Sequence, residues 1–558
     1  VALFVLLVCV ATLTTKGATP AAQGKRARAA GQSKAAASRA GDSPLVREAA
    51  ALLQAGKLDE AEALVRGAVA SAPRSAEARA MLGVVLDQRG RPEEAEREYR
   101  ESLRLDPEST VALTNLGVLL VRTRRPEEAV RVFEEALRLA PGHVQAAYNL
   151  ALLYAARGDY AHATPLLERA AKAAGDAESA DLALLLALAD AYAHVGRGRE
   201  ASKLADVIER RAGEDPRVIF TLGLGLAGAG AYERAARLFE RTNQLRPGTY
   251  EVLYNLGVAL YNLDRLDESR RALQDAATLR PDAPEVFYRL GLVASAKGES
   301  ENALGLWQRA LKLRPEYAEA YFMTAEELLK NRRIDRAVPF YERAVALDPS
   351  QALYHVRLGV AHFRGSRYAQ ARETFERASV LFPDNATLFY LVGYAARAEG
   401  QYDAALKAFR RSLELQPDNA AVYANLGFIV AERGQNEEAE RLLRRALALD
   451  PDNYPAHYDL GRLLVRLKRY EEALPVLESG VRLSRNDPGV HYQLFLIYSR
   501  LKRKDDAERE LATFRGLEEA RKTGDGGAGA KGGEELPPPE TSAPSRDAVP
   551  RERKPPDR

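Results

Sequence analysis

A 34-residue period runs through this chain and confines it to architectures made by stacking one small unit many times. Residues 420–453, AAVYANLGFIVAERGQNEEAERLLRRALALDPDN, show that unit. Tyr423, Leu426, Gly427 and Val430 fall at i, i+3, i+4 and i+7, one face of a helix. Ala439, Leu443, Ala446 and Leu447 give the second half a similar face. Between them Gly434 can take the left-handed backbone that ends a helix, Asn436 is expected to cap the next one, and Glu437 and Glu438 suit its positive end. Asp450-Pro451-Asp452-Asn453 stops the second helix, because proline lacks an amide hydrogen and disfavours helical geometry before it, and supplies caps for the following unit. The unit is a helical hairpin.

Counted in this register there are fourteen units. Their eighth position falls at Ala49, Gly83, Gly117, Ala151, Ala189, Gly223, Gly257, Gly291, Ala325, Gly359, Gly393, Gly427, Gly461 and Phe495. Twelve residues further on, thirteen of the fourteen units carry alanine, from Ala61 to Ala507, with Ser269 the exception. Small side chains are needed where the two helices of a hairpin approach most closely, so a leucine at Ala405 should cost roughly 1–3 kcal/mol. The period, the small positions and the closing prolines resemble the tetratricopeptide repeat (TPR) family over residues 42–521. The resemblance implies an all-α fold, a right-handed superhelical α-solenoid of tandem helix-turn-helix hairpins.

Along the solenoid, residues 42–177 hold units one to four. The first is degenerate, with Glu48 where Leu82, Leu116 and Leu150 follow, as suits an N-terminal cap. Residues 178–249 hold units five and six, where the register slips by four residues and one helix contains Gly223, Gly225 and Gly228. Each interior glycine costs about 0.5–1 kcal/mol relative to alanine, so a bend or hinge is expected near residues 175–230. Residues 250–521 are the regular units seven to fourteen. Phe495 and Phe514 stand at positions that are usually small, as expected of a terminal hairpin with nothing to pack against.

The formal charge is only +3, from 81 basic and 78 acidic residues, so no global field points to nucleic acid or an anionic membrane, and the charges read as solvated helix faces. Cys9, the only cysteine, excludes a disulfide framework within the chain and a cysteine zinc cluster. It sits in an apolar run, residues 1–13, that is short for a membrane span and suits the core of a secretion signal, so residues 1–22 are read as a signal whose true start precedes Val1. The competing reading is an anchor, because Lys16, Lys25, Arg26, Arg28, Lys34 and Arg39 all follow the run. Residues 23–41 read as a flexible linker, and residues 522–558 as a disordered Gly/Pro/charged tail.

Little in the chain promises catalysis. Gly223-Leu-Gly225-Leu-Ala-Gly228 matches a dinucleotide fingerprint, which requires a strand before the glycines and a helix opening at them, and here the segment is mid-repeat. His355, His457 and His491 share position four, a packing position, although His457 and His491 could neighbour each other as a metal or pH-sensing pair. No nucleophile elbow, P-loop or HExxH is present. The expectation is a protein without enzymatic activity, cofactor or metal.

What remains is the inner face, which the TPR resemblance assigns to positions two, five, six, nine and twelve of each first helix. Position five carries Tyr148, Phe220, Tyr254, Tyr288, Phe322, Tyr390, Tyr458 and Tyr492. These rings read either as anchors for a peptide's apolar side chains or as covers on neighbouring helices. Position six carries Asn115, Asn149, Asn255 and Asn425, whose amides offer a donor and an acceptor to a peptide backbone. This is similar to the asparagine ladder in the TPR arm of the protein N-acetylglucosamine transferase, interrupted here by Ala187, Thr221, Arg289, Met323, Arg357 and Leu391. The lysine and asparagine of a TPR carboxylate clamp are missing at positions five and nine, the latter being mainly Val118, Leu152, Val258 and Leu292, so the groove reads as apolar and aromatic. The resulting expectation is a scaffold that holds a protein or peptide in a concave aromatic groove. The signal-like start and the Ala/Arg-rich composition place it in a bacterial envelope, exported to the periplasm. The alternatives are an inner-membrane-anchored assembly subunit of an envelope or secretion complex, a cytoplasmic protein, an RNA-binding helical repeat, or a solenoid-borne metal site.

Overall fold

The computed structural model describes residues 44–175 and 180–523, among which lie twenty-eight α-helices and no strand. The signal-like segment, the linker, the start of the register slip and the tail lie outside the described residues, except that Lys522 and Thr523 extend the last helix. The chain divides into two compact units between Leu279 and Arg280. The first holds seven hairpins, from α1 (Pro44–Gln54) to α14 (Leu266–Leu279), and the second holds seven, from α15 (Pro284–Ala296) to α28 (Lys504–Thr523). Among the described residues no helix is long and apolar enough to cross a membrane.

The hairpin of α23 (Ala420–Glu432) and α24 (Asn436–Leu449) shows how the sequence makes the turn. Gly434 has φ +77°, its amide donates to the Ala431 carbonyl at 3.1 Å, and the Gln435 amide donates to the Val430 carbonyl at 3.1 Å. These bonds consume carbonyls that a helix end otherwise leaves bare. Positive φ recurs at this fifteenth position in every hairpin, and six of them place Arg124, Asp264, Arg332, Ser366, Lys468 or Lys502 there. Turn geometry, and not glycine alone, is therefore what the repeat imposes. The cap expected of Asn436 is absent: Gln435 is the boundary residue and bonds nothing with its side chain, while Asn436 Oδ1 accepts from Arg466 Nη2 of the next hairpin at 3.0 Å. The tight turn sets Asn436 one residue inside the helix. Asn453 does cap α25 (Tyr454–Arg466), accepting from the Ala456 amide at 3.0 Å.

The small eighth position has a specific occupant above it. A Cβ built on Gly83 would lie 2.6 Å from Tyr99, and one on Gly393 would lie 2.6 Å from Phe409. Where position eight is glycine, the large residue at position 24 of the same hairpin fills the notch, and Tyr99, Phe409 and Trp307 are all buried. The Trp307 indole also donates to the Tyr288 carbonyl at 3.1 Å. In the last hairpin Phe495 and Phe514 lie on either side of Tyr492, ring centres 6.1 and 5.3 Å from it.

Adjacent hairpins are also joined by ion quartets, an arrangement that a reading of the charges as solvated faces misses. In the first unit Glu96 is bound by Arg100 and Arg125, each at 2.8 Å, and both arginines reach Glu128, at 3.5 and 2.6 Å. In the second unit Glu440 is bound by Arg444 and Arg469, at 2.8 and 2.6 Å, and both reach Glu472, at 3.6 and 2.7 Å. The same spacing gives a third quartet of Glu62, Arg66, Arg91 and Glu94.

Candidate functional site

The position-five rings divide by environment. In the first unit Tyr148, Phe220 and Tyr254 are half-buried, Phe220 lying 5.6 Å from the Phe239 ring and Tyr254 6.0 Å from Tyr250. In the second unit Tyr288, Phe322 and Tyr390 are enclosed, at 2, 4 and 7% exposure. Tyr288 packs 5.0 Å from Tyr317, Phe322 stacks 4.7 Å from Tyr354, and Tyr390 lies 6.0 Å from Phe409. Tyr458 is half-buried on Tyr454, and Tyr492 is 41% exposed. The three enclosed rings are occupied by packing, whereas the other five keep surface toward solvent.

The position-six asparagines are similarly committed. Asn255 Nδ2 donates to the Glu251 carbonyl and Asn425 Nδ2 to the Ala421 carbonyl, both at 2.7 Å and both four residues back in the same helix. One of each amide's two N–H groups is thus spent on its own helix. Asn425 Oδ1 and Asn149 Nδ2 are buried without a partner, and Asn115 is half-buried. Thr221, which interrupts the series, makes the same backward bond to Arg217 at 2.8 Å.

The histidines serve the loops. His355, His457 and His491 each turn Nε2 to a carbonyl six residues earlier, those of Pro349, Pro451 and Arg485, at 3.0, 2.8 and 2.9 Å. A carbonyl only accepts, so each Nε2 carries a hydrogen and is turned away from ligation. His491 Nδ1 faces Glu510 at 2.6 Å. Among the described residues no group of three or more His, Cys, Asp or Glu could hold a metal ion. The glycines of the fingerprint-like segment lie inside α11 (Pro216–Gly228), which follows a helix, with Gly223 beneath Phe239.

Positions nine and twelve hold what the sequence reading passed over. In the first unit position nine is largely apolar, as Val84, Val118, Leu152, Leu224 and Val258. In the second it is mixed, Leu292, Val360 and Leu496 standing beside Glu326, Tyr394, Phe428 and Arg462, and position twelve supplies Arg397. The Arg397 guanidinium sits over Phe428 at 5.0 Å and over Tyr394 at 5.1 Å, and that of Arg462 over Phe428 at 5.4 Å. Arg462 Nη2 meets Glu432 at 2.8 Å and Asp459 at 3.7 Å. Burial pushes the Asp459 carboxyl up to about 6, against the pull of Arg462 and Arg397. Alignment of the units by position would have exposed this change of chemistry, which averaging over the whole groove conceals.

Sequence models described as tetratricopeptide repeat match residues 46–110, 114–179, 288–352 and 356–420, and a second such model matches 226–290, 396–460 and 430–491. Among solved structures the chain is similar to yeast Tom70, at 18% identity over 79% of this chain and 96% of that one, TM-score 0.31. It is similar to the APC/C hetero-tetramer Cut9–Hcn1, at 14% identity over 84% and 96%, TM-score 0.32. The C-terminal part of a TPR repeat-containing protein from Cytophaga hutchinsonii matches at 17% identity over 43% and 99%, TM-score 0.40. No curated protein matches the chain.

Proposed function

The chain belongs to the tetratricopeptide repeat family, and we propose that it is a non-enzymatic scaffold that holds a protein or peptide partner against its first-helix faces in a bacterial cell envelope. The carrying observation is that the same repeat face that is spent on packing at Tyr288, Phe322 and Tyr390 stays partly open at Tyr148, Tyr254, Tyr458 and Tyr492. Rings of this kind bury large area with few rotors when a partner covers them. Envelope placement is supported by the apolar residues 1–13, and the anchored-subunit reading by the basic residues that follow them.

The test is affinity capture from envelope and cytoplasmic fractions, with the intact chain beside a variant carrying Tyr148, Tyr254, Tyr458 and Tyr492 changed to alanine. Loss of partners from a variant whose helical signal and melting are unchanged supports the reading; retention of every partner removes it. N-terminal sequencing of the mature chain separates export from anchoring, since only an anchor keeps residues 1–22.

A further inference from the structure

We infer that the open end of the last hairpin is a docking face for this chain's own Leu536-Pro537-Pro538-Pro539 segment, seated on Tyr492 and Phe514. Position 27 of the repeat makes the face. In earlier hairpins that position is small and covered: Ala344, Ala378, Ser412 and Ala446 are 0% exposed. A Cβ built on Gly480, the same position in α26 (Tyr470–Leu483), would meet Val490 of α27 (Pro488–Arg500) at 3.7 Å, so the cover is the first helix of the next hairpin. In α28 the position holds Phe514, and no helix follows among the described residues. The Phe514 ring is half-buried and lies 5.3 Å from Tyr492, which keeps 41% of its surface exposed.

The rings decide what fits there. Helices pack at about 8–10 Å between axes, depending on the side chains at the contact, so a phenylalanine in place of alanine holds a further helix off. That applies equally to a helix from a second copy of the chain. A proline-rich strand needs no such approach, because it is extended before it binds and docks on aromatic surfaces. The chain's one run of three prolines follows α28 after the Gly-rich residues 524–533, GDGGAGAKGG. Phe514 lies nine residues before the end of α28, about 14 Å back along the helix. A Gly-rich chain of thirteen residues, the length from Gly524 to Leu536, reaches about 18–22 Å. The tether therefore spans the distance, and a tether this short gives an effective concentration in the millimolar range. Charge agrees with the placement: Glu534 and Glu535 precede Leu536, and Arg515 and Lys522 stand exposed on α28.

Fluorescence anisotropy of a labelled peptide with the sequence of residues 534–544, added to the full chain, tests the docking. Leu536→Ser, Pro537→Ser, Pro538→Ser and Pro539→Ser together empty the face and change none of the described residues. The peptide is expected to bind this tail variant about fivefold or more tightly than the unaltered chain, whose own segment competes. Adding Tyr492→Leu and Phe514→Leu to the tail variant, which keeps apolar bulk and removes the rings, is expected to weaken the peptide about tenfold. Equal binding to the unaltered chain and the tail variant, no binding to the tail variant, or binding indifferent to the leucine pair overturns the docking. A tail variant that self-associates and ignores the peptide assigns the face to a second copy and overturns it as well. Leu536 and the prolines are no part of the repeat face, so failure here leaves the capture experiment and the scaffold reading standing.

Discussion

Tyr288 and Tyr492 occupy the same repeat position and opposite surroundings, 2% and 41% exposed. The difference comes from what packs beside each: Tyr317 closes over Tyr288, and Tyr492 has only the rings of its own hairpin. Truncating Tyr288 to alanine is expected to cost about 3–5 kcal/mol as a cavity, and truncating Tyr492 well under that, as chemical denaturation of the two variants will show. Glycine follows the same logic. Gly223 lies beneath Phe239, where a Cβ would sit 2.7 Å from the ring, whereas at Gly228 of the same helix it would meet His194 only at an ordinary 3.4 Å. Gly223→Ala should therefore destabilise by about 1–3 kcal/mol through overpacking. Gly228→Ala should stabilise by about 0.4–1 kcal/mol by restricting the unfolded chain. Melting of both variants checks the opposite signs. The eighth-position pattern was legible in the sequence; the large side chain that fills the notch was not, because it lies sixteen residues away and is Tyr, Phe, Trp or Leu in different hairpins.

At the scale of elements, the quartets tie each hairpin to the next. Hydrogen bonds from Arg469, then from Arg444, hold the Glu440 carboxyl below its usual 4.5. A carboxylate depressed in the folded state stabilises above its unfolded value and loses that contribution as pH falls through the folded one. Glu440→Gln is expected to cost about 0.3–1 kcal/mol at neutral pH, the range of solvent-screened pairs, and less as pH falls through the depressed folded value, where the native side chain takes up its proton. Denaturant midpoints at pH 7 and pH 3 test the sign. The spacing of these charges is regular enough to have been read from the sequence once the hairpin register was known. Their pairing was not, since a charge on a helix face looks the same whether a neighbouring hairpin meets it or water does. We propose that the hinge expected near residues 175–230 is a soft α11, to be recognised as faster amide exchange there than in the flanking hairpins; that stretch lies inside the first compact unit.

At the scale of the whole molecule, each compact unit has seven hairpins and its own core. Repeat stacks gain stability from each hairpin and its nearest neighbours, so the chain is expected to unfold thermally in two steps, with Glu96→Gln moving one and Glu440→Gln the other. Calorimetry that shows a single transition moved by both variants would contradict this. The sequence by itself determined the repeat, the hairpin and the small positions, because these follow from local periodicity and from proline and small residues that recur at fixed spacing. Tertiary structure alone decided which position-five rings are enclosed, that Asn255 and Asn425 turn back on their own helices, and that Arg397 and Arg462 meet at Phe428. The reason is physical: a repeat specifies the same backbone each time, while the burial and charge of a side chain depend on which residues the neighbouring hairpins bring against it.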